Sequence, residues 1–149
     1  MIAQPVPPER IAGPAVHLVF VKMVPGDEAR GLVPFFQFRI ETPDGADAGH
    51  INFRIGDTPH IRFAVGHIGF GIAPAHRGRG LAGHACRTLA PFIRSVYREV
   101  VLTCDPGNAA SLATIRGLGA AFLDERPVPP DDPHHASGSR MKLRFAWRP

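Results

Sequence analysis

The run His76-Arg77-Gly78-Arg79-Gly80-Leu81-Ala82-Gly83 combines bare backbone with guanidinium groups. It joins an apolar segment to a stretch of helical periodicity, so it sits where a first helical turn leaves N–H groups unpaired and partly positive. Glycines let that backbone approach an anion with no Cβ in the way. Arg77 and Arg79 add charge-assisted hydrogen bonds. A tight turn with solvated arginines is the plainer reading, but the combination favours a cradle for a phosphate. Two nucleotide motifs compete for the same residues. Gly78-x-Gly80-x-x-Gly83 formally matches the dinucleotide fingerprint, with Asp105 downstream near the ribose-acid spacing. That fold needs a parallel βαβ start, whereas strands with short turns precede these glycines and Pro74 intervenes. A P-loop is excluded, because no Gly-Lys-Ser/Thr follows.

The elements that must hold this turn are legible in the hydrophobic pattern. Pro14 to Val24 is a continuous apolar, β-branched run, which predicts a strand buried on both faces. Phe36, Phe38 and Ile40 alternate with polar residues, and so do Ile51, Phe53 and Ile55, giving two half-buried strands. A fourth strand is expected over Phe63–Ile72. Leu81, Ala85, Leu89, Phe92 and Val96 recur at helical spacing, which predicts a helix over Gly80–Tyr97, kinked or split by Pro91. Val100–Cys104 reads as a buried strand. Asn108 is a good N-cap for a second helix that Gly119 ends. Ala120–Asp124 and Met141–Trp147 close the list of strands, around a Pro-rich loop over Glu125–Gly138. Residues 1–12 read as a tail and residues 13–149 as one mixed α/β (α+β) domain.

Composition bounds the function. The chain has 149 residues, 44% hydrophobic and 20% charged, enough for one globular domain with a real core. No apolar run approaches a membrane span, and the opening residues lack the pattern of a secretory signal. Cys86 and Cys104 are too few for a disulfide framework and lack metal-site spacing, so a reduced, cytoplasmic setting is expected and no metal. His134-His135 lack a third ligand at metal spacing. Residues 1–75 carry 6 basic and 7 acidic side chains; residues 76–149 carry 11 and 6, which together give the net +4. The positive half suits a phosphate-bearing partner. With one Trp and one Tyr there is little base-stacking surface, so a small anionic ligand is expected rather than a nucleic acid.

Arg77-Gly78-Arg79-Gly80-Leu81-Ala82 resembles the Arg/Gln-x-x-Gly-x-Gly/Ala signature of the GNAT superfamily of acetyl-CoA-dependent N-acetyltransferases. Upstream, Gly66-His67-Ile68-Gly69-Phe70-Gly71-Ile72-Ala73-Pro74 is similar to that family's fourth strand. Downstream, Cys104-Asp105-x-x-Asn108-x-Ala110-Ser111 is similar to its fifth strand and following helix. The resemblance implies a largely antiparallel sheet, splayed at the cofactor site and flanked by two main helices. It implies that acetyl-CoA is the co-substrate, its pyrophosphate on Arg77, Gly78, Arg79, Gly80, Leu81, Ala82 and Gly83. The pantetheine arm would pair with backbone groups of Phe70 and Ile72, and Asn108 and Ser111 would contact the cofactor from the second helix.

The reaction so implied is direct acetyl transfer to a primary amine. His67 lies where related enzymes often place a base, although strict alternation sets it out of phase with Phe70 and Ile72. Asp105 is the other candidate base. Many members place a tyrosine seven residues after the capping Asn to protonate the thiolate. That slot holds Ile115, which leaves Ser111 as the candidate acid. Only Pro25–Pro34 links the first two strands, where the family inserts two helices, so the acceptor cleft must be open or covered by the 125–138 loop or by a second subunit of a homodimer. The acceptor is a small-molecule amine or a peptide amine. The rival readings are a catalytically silent acyl-CoA-binding module and a basic nucleic-acid-binding domain.

Overall fold

The computed structural model describes residues 4–149. Two antiparallel sheets lie side by side. The first has the order β1-β2-β3-β4-β5, formed by Arg10–Ala12, His17–Val24, Phe35–Glu41, Asp47–Arg54 and Ile68–Ile72. The second has the order β6-β8-β7, formed by Val100–Cys104, Met141–Trp147 and Ala121–Pro127. Helix α1, Leu81–Arg94, joins β5 to β6, and α2, Ala109–Gly117, joins β6 to β7. A four-residue helix, α3, Pro133–Ala136, lies between β7 and β8.

Period-2 patterning explains the inner face of the first sheet. Phe36, Phe38, Ile40, Ile51 and Phe53 point inward and pack with Leu89, Phe92 and Ile93 of α1, all buried. Phe53 and Phe92 meet edge to face with centroids 5.6 Å apart. The other face of β3 and β4 is polar apart from Phe35, which pairs with Arg54.

Several expectations are corrected. Arg10–Ala12, read as tail, pairs with β2 in the register Ile11–Leu18. The strand over 14–24 starts only at His17, and it is not buried on both faces: Val21, Lys22 and Met23 are exposed around a bulge between Phe20 and Lys22. The expected strand over Phe63–Ile72 is in fact a π-helical turn, Ile61–Val65, followed by β5. Its apolar run has no period to distinguish the two, and Gly66, with φ 68°, breaks the chain between them. Pro91 neither splits nor ends α1; it removes one N–H and the helix continues to Arg94. The 125–138 loop is shorter than expected, since β7 runs on to Pro127 and α3 occupies its middle.

Candidate active site

A cleft of about 690 Å³ opens where β5, α1 and α2 meet. Its floor is the glycine turn. Gly78 and Gly80 adopt φ 81° and 70°, and a Cβ at either would meet nothing within 4 Å. Gly80 occupies the N-cap position of α1, and its carbonyl accepts the first helical bond, from His84 N–H at 3.2 Å. Among the described residues, the N–H groups of residues 78–83 donate to no backbone acceptor. Six consecutive unpaired amides at a helix start form a site that an anion completes. Arg77 turns back and donates from Nε to Ile72 O at 2.9 Å, bracing the turn against β5.

The two sheets part between β5 and β6. Ala73 N–H donates to Ala48 O and Arg54 N–H to His67 O, in one unbroken register. Antiparallel pairing alternates, so residues 69 and 71 bond to β4 while Ile68, Phe70 and Ile72 turn their backbone groups to the open edge. Phe70 and Ile72 line the cleft. The far end of the split is closed by His67. Its own N–H donates to Val101 O at 2.8 Å, and its ring Nδ1 accepts from Val101 N–H at 2.9 Å. That fixes the tautomer: Nε2 carries the proton and donates to Gly56 O at 3.1 Å. The ring is 5% exposed and packs on Tyr97, with centroids 5.0 Å apart. Gly66 permits this close approach, since a Cβ there would lie 2.6 Å from Val101 O.

His67 is therefore not brought to the cleft, and both its ring nitrogens are occupied by backbone. Burial pushes its pKa below the ordinary 6.5, against the pull of Gly56 O. Protonating Nδ1 would set a donor against the Val101 donor. The unfolded chain takes up this proton near 6.5 and the folded chain only at lower pH. The histidine's contribution to stability is thus complete above about pH 6.5 and is lost as pH falls through the folded value. Denaturant titrations from pH 7.5 down to pH 4.5 are expected to show that decline, and His67→Asn is expected to flatten it.

Asp105 also stands outside the lining. Its Oδ1 accepts from Lys142 Nζ at 2.8 Å and from Ser139 Oγ at 2.6 Å. Partial burial raises its pKa, but those two bonds outweigh burial and hold it below the usual carboxylate range. Asn108 and Ser111 do line the cleft. Asn108 caps α2, its Oδ1 accepting from Ser111 N–H at 3.1 Å. Ile115, in the expected tyrosine slot, is buried core, and Tyr97 spends its hydroxyl as acceptor for Gly56 N–H at 2.9 Å. Of the residues expected at the cofactor, Arg79 alone is not in the lining. The sequence reading missed Arg87 and Thr114. Arg87 lies four residues beyond Gly83 and Thr114 three beyond Ser111, so helical spacing was the available signal. Arg87 also ties α1 to α2 through Gly117 O at 2.8 Å. Among the described residues, no group of three His, Cys, Asp or Glu side chains is placed to hold a metal ion. No described helix is long and apolar enough to cross a membrane.

A split sheet with a phosphate-type cradle at its mouth is the arrangement that the resemblance to GNAT acetyltransferases implies, and the comparisons agree. Residues 17–121 match the family model described as Acetyltransferase (GNAT) domain, so the chain belongs to the GNAT acetyltransferase family. A probable GNAT-family acetyltransferase from Chromobacterium violaceum is similar in structure at 19% identity and TM-score 0.68, over 98% of this chain and 89% of that one. RimJ of Mycobacterium smegmatis, solved with CoA-disulfide, is similar at 22% identity and TM-score 0.58, over 75% of this chain and 52% of that one. The microcin C7 self-immunity acetyltransferase MccE, solved with acetyl-CoA and AMP, is similar at 18% identity and TM-score 0.57, over 77% of this chain and 61% of that one. The match thus spans less than two thirds of the last two proteins. No curated protein sequence matches the chain.

Proposed function

We propose that the protein transfers acetyl from acetyl-CoA directly to a primary amine. The observation that carries this is the meeting, in one cleft, of the unpaired amides of Gly78 and residues 80–83 with an unpaired strand edge. Bound acetyl-CoA supplies an activated thioester. The amides of residues 78–83 take up the negative charge of the pyrophosphate, with Arg87 nearby. The outward C=O of Phe70 and the N–H of Ile72 serve the pantetheine amides, and Phe70 N–H is the donor that polarises the acetyl carbonyl. A C–N bond forms as the C–S bond breaks; the amine nitrogen gives up one proton and the sulfur takes up one. His67 stays outside this step because both its ring nitrogens are engaged, and Asp105 stays outside it because it lies away from the cleft lining with Oδ1 held by Lys142 and Ser139.

Ser111 Oγ is the proton donor to sulfur in this reading. Ser111→Ala is expected to lower kcat at saturating acetyl-CoA by about 10²-fold, the low end for a general acid, with KM changed little. A rise in KM with kcat untouched makes Ser111 a cofactor ligand only. The commitment of His67 and Asp105, with Ile115 in the tyrosine slot, favours one second reading, a silent acyl-CoA-binding module. Calorimetric titration with CoA, followed by thiol release from acetyl-CoA with added amines, separates the two. Binding with amine-dependent turnover supports the transferase; binding without turnover supports the silent module.

A further inference from the structure

The inner face of the first sheet is filled by core, so an acceptor must reach the split from the outer face. There β4 presents His50, Asn52 and Arg54 at alternate positions, beside Gly69 and Gly71 of β5. Both glycines leave bare backbone for flat side chains. A Cβ at Gly69 would lie 2.8 Å from Arg54 Nη2, and one at Gly71 would lie 2.7 Å from His50 Cε1. Arg54 and His50 therefore lie over the very strand whose far edge borders the cleft. Between β2 and β3 the chain makes only a 3-10 turn, Glu28–Arg30, so no helix pair walls this face.

Arg54 is the anomaly. Its Nη1 donates to Val65 O at 3.2 Å and Gly66 O at 3.3 Å, while Nε and Nη2 have no acceptor and no carboxylate among the described residues pairs with it. Burial alone draws its pKa down to about 10. A half-buried guanidinium with no counter-charge and one unpaired edge open to solvent is a mark of a binding site rather than of a stabilising pair. Two residues back on the same face, Asn52 Oδ1 is buried without a donor. The charged groups around them are mostly cationic. Lys22 and Gln37 lie in the cross-strand row of Asn52, and Arg39 lies beside His50. Of the acids of this face, Glu41 is held by Arg10 and Arg39 at 3.0 Å each, and its cross-strand partner Asp47 accepts from Gly49 N–H at 3.0 Å.

We propose that this strip of β4 is the acceptor site and that it selects amines bearing a carboxylate, with the carboxylate on the free Nε–Nη2 edge of Arg54. A guanidinium edge matches a carboxylate in two parallel bonds. The proposal rests on the transferase reading and adds the acceptor class.

The test measures thiol release from acetyl-CoA with a panel of free amino acids, the amide and decarboxylated amine of each, and phosphoethanolamine, after CoA binding has been established by calorimetry. The acids are expected to exceed their amides and amines by tenfold or more in kcat/KM. Arg54→Gln is expected to remove about 10- to 100-fold from the acids alone, the range for a hydrogen-bonded charge, with CoA affinity unchanged. Equal rates on acids and amides, preference for the phosphate, or an Arg54→Gln loss spread evenly over all acceptors overturns the proposal. So does CoA binding with no turnover on any acid. If Arg54→Gln does not fold, the comparison of acids with amides in the unmodified protein still decides. Failure of CoA to bind would instead sink the transferase reading itself.

Discussion

Gly80→Asp is expected to abolish useful CoA binding while leaving the protein folded. The position has φ 70°, which aspartate tolerates better than most residues, and a Cβ there meets nothing within 4 Å. The new carboxylate would stand among the six unpaired amides, in the place of the pyrophosphate. Two like charges about 4 Å apart repel by about 4 kcal/mol at an effective dielectric near 20, about 10³-fold in affinity. Gly80→Asn adds nearly the same volume without the charge and is expected to lose far less. Calorimetric titration of CoA into both variants, with thermal melts as a check on folding, makes the comparison. Wild-type affinity in a folded Gly80→Asp protein would remove the cradle from its assigned place.

The second large effect concerns the closed end of the split. His67→Leu keeps the apolar volume but leaves Val101 N–H and Gly56 O buried without partners. Each unpaired buried group costs about 1–3 kcal/mol, so the variant should lose about 2–6 kcal/mol, a large part of the stability of an ordinary domain. His67→Asn should recover part of this, since an amide oxygen can take the place of Nδ1 as acceptor for Val101 N–H. CoA affinity should fall in step with the loss of the closure, because β5 and β6 would no longer be held at one fixed opening. Denaturant midpoints of the three proteins test this. A His67→Leu protein as stable as its parent would mean that the histidine does not hold the sheets together.

The same residue shows what the sequence could and could not reveal. Its type and position suggested a base, and alternation alone warned that it was out of phase with Phe70 and Ile72. What decided its role was the pairing of both ring nitrogens with backbone distant in sequence, at Gly56 and Val101. No local pattern carries that. The strands over 35–41 and 141–147 were legible from period-2 alternation, and that over 100–104 from a short apolar run ended by a turn. Asn108 and Gly119 marked α2 through the chemistry of helix ends. The π-helical turn over Ile61–Val65 was not legible, since a short apolar run reads the same in a strand or a tight helix. Glycine and arginine content marked the cradle, whereas the cleft's far wall, with Arg87 and Thr114, was signalled only by helical spacing from Gly83 and Ser111 and is set by the packing of α1 on α2. Arg54 drew no notice in the sequence because one more arginine on a polar strand face looks solvated; its lack of a partner is a property of the fold.

The most direct test of the central claim is an amide-resolved NMR titration of the protein with CoA. The largest shifts are expected at the N–H groups of residues 78–83, with a second set at Phe70 and Ile72, saturating together at one affinity. Shifts spread over the arginines of the second half without saturation at residues 78–83, or no shift at those residues while CoA binds elsewhere, would contradict the account.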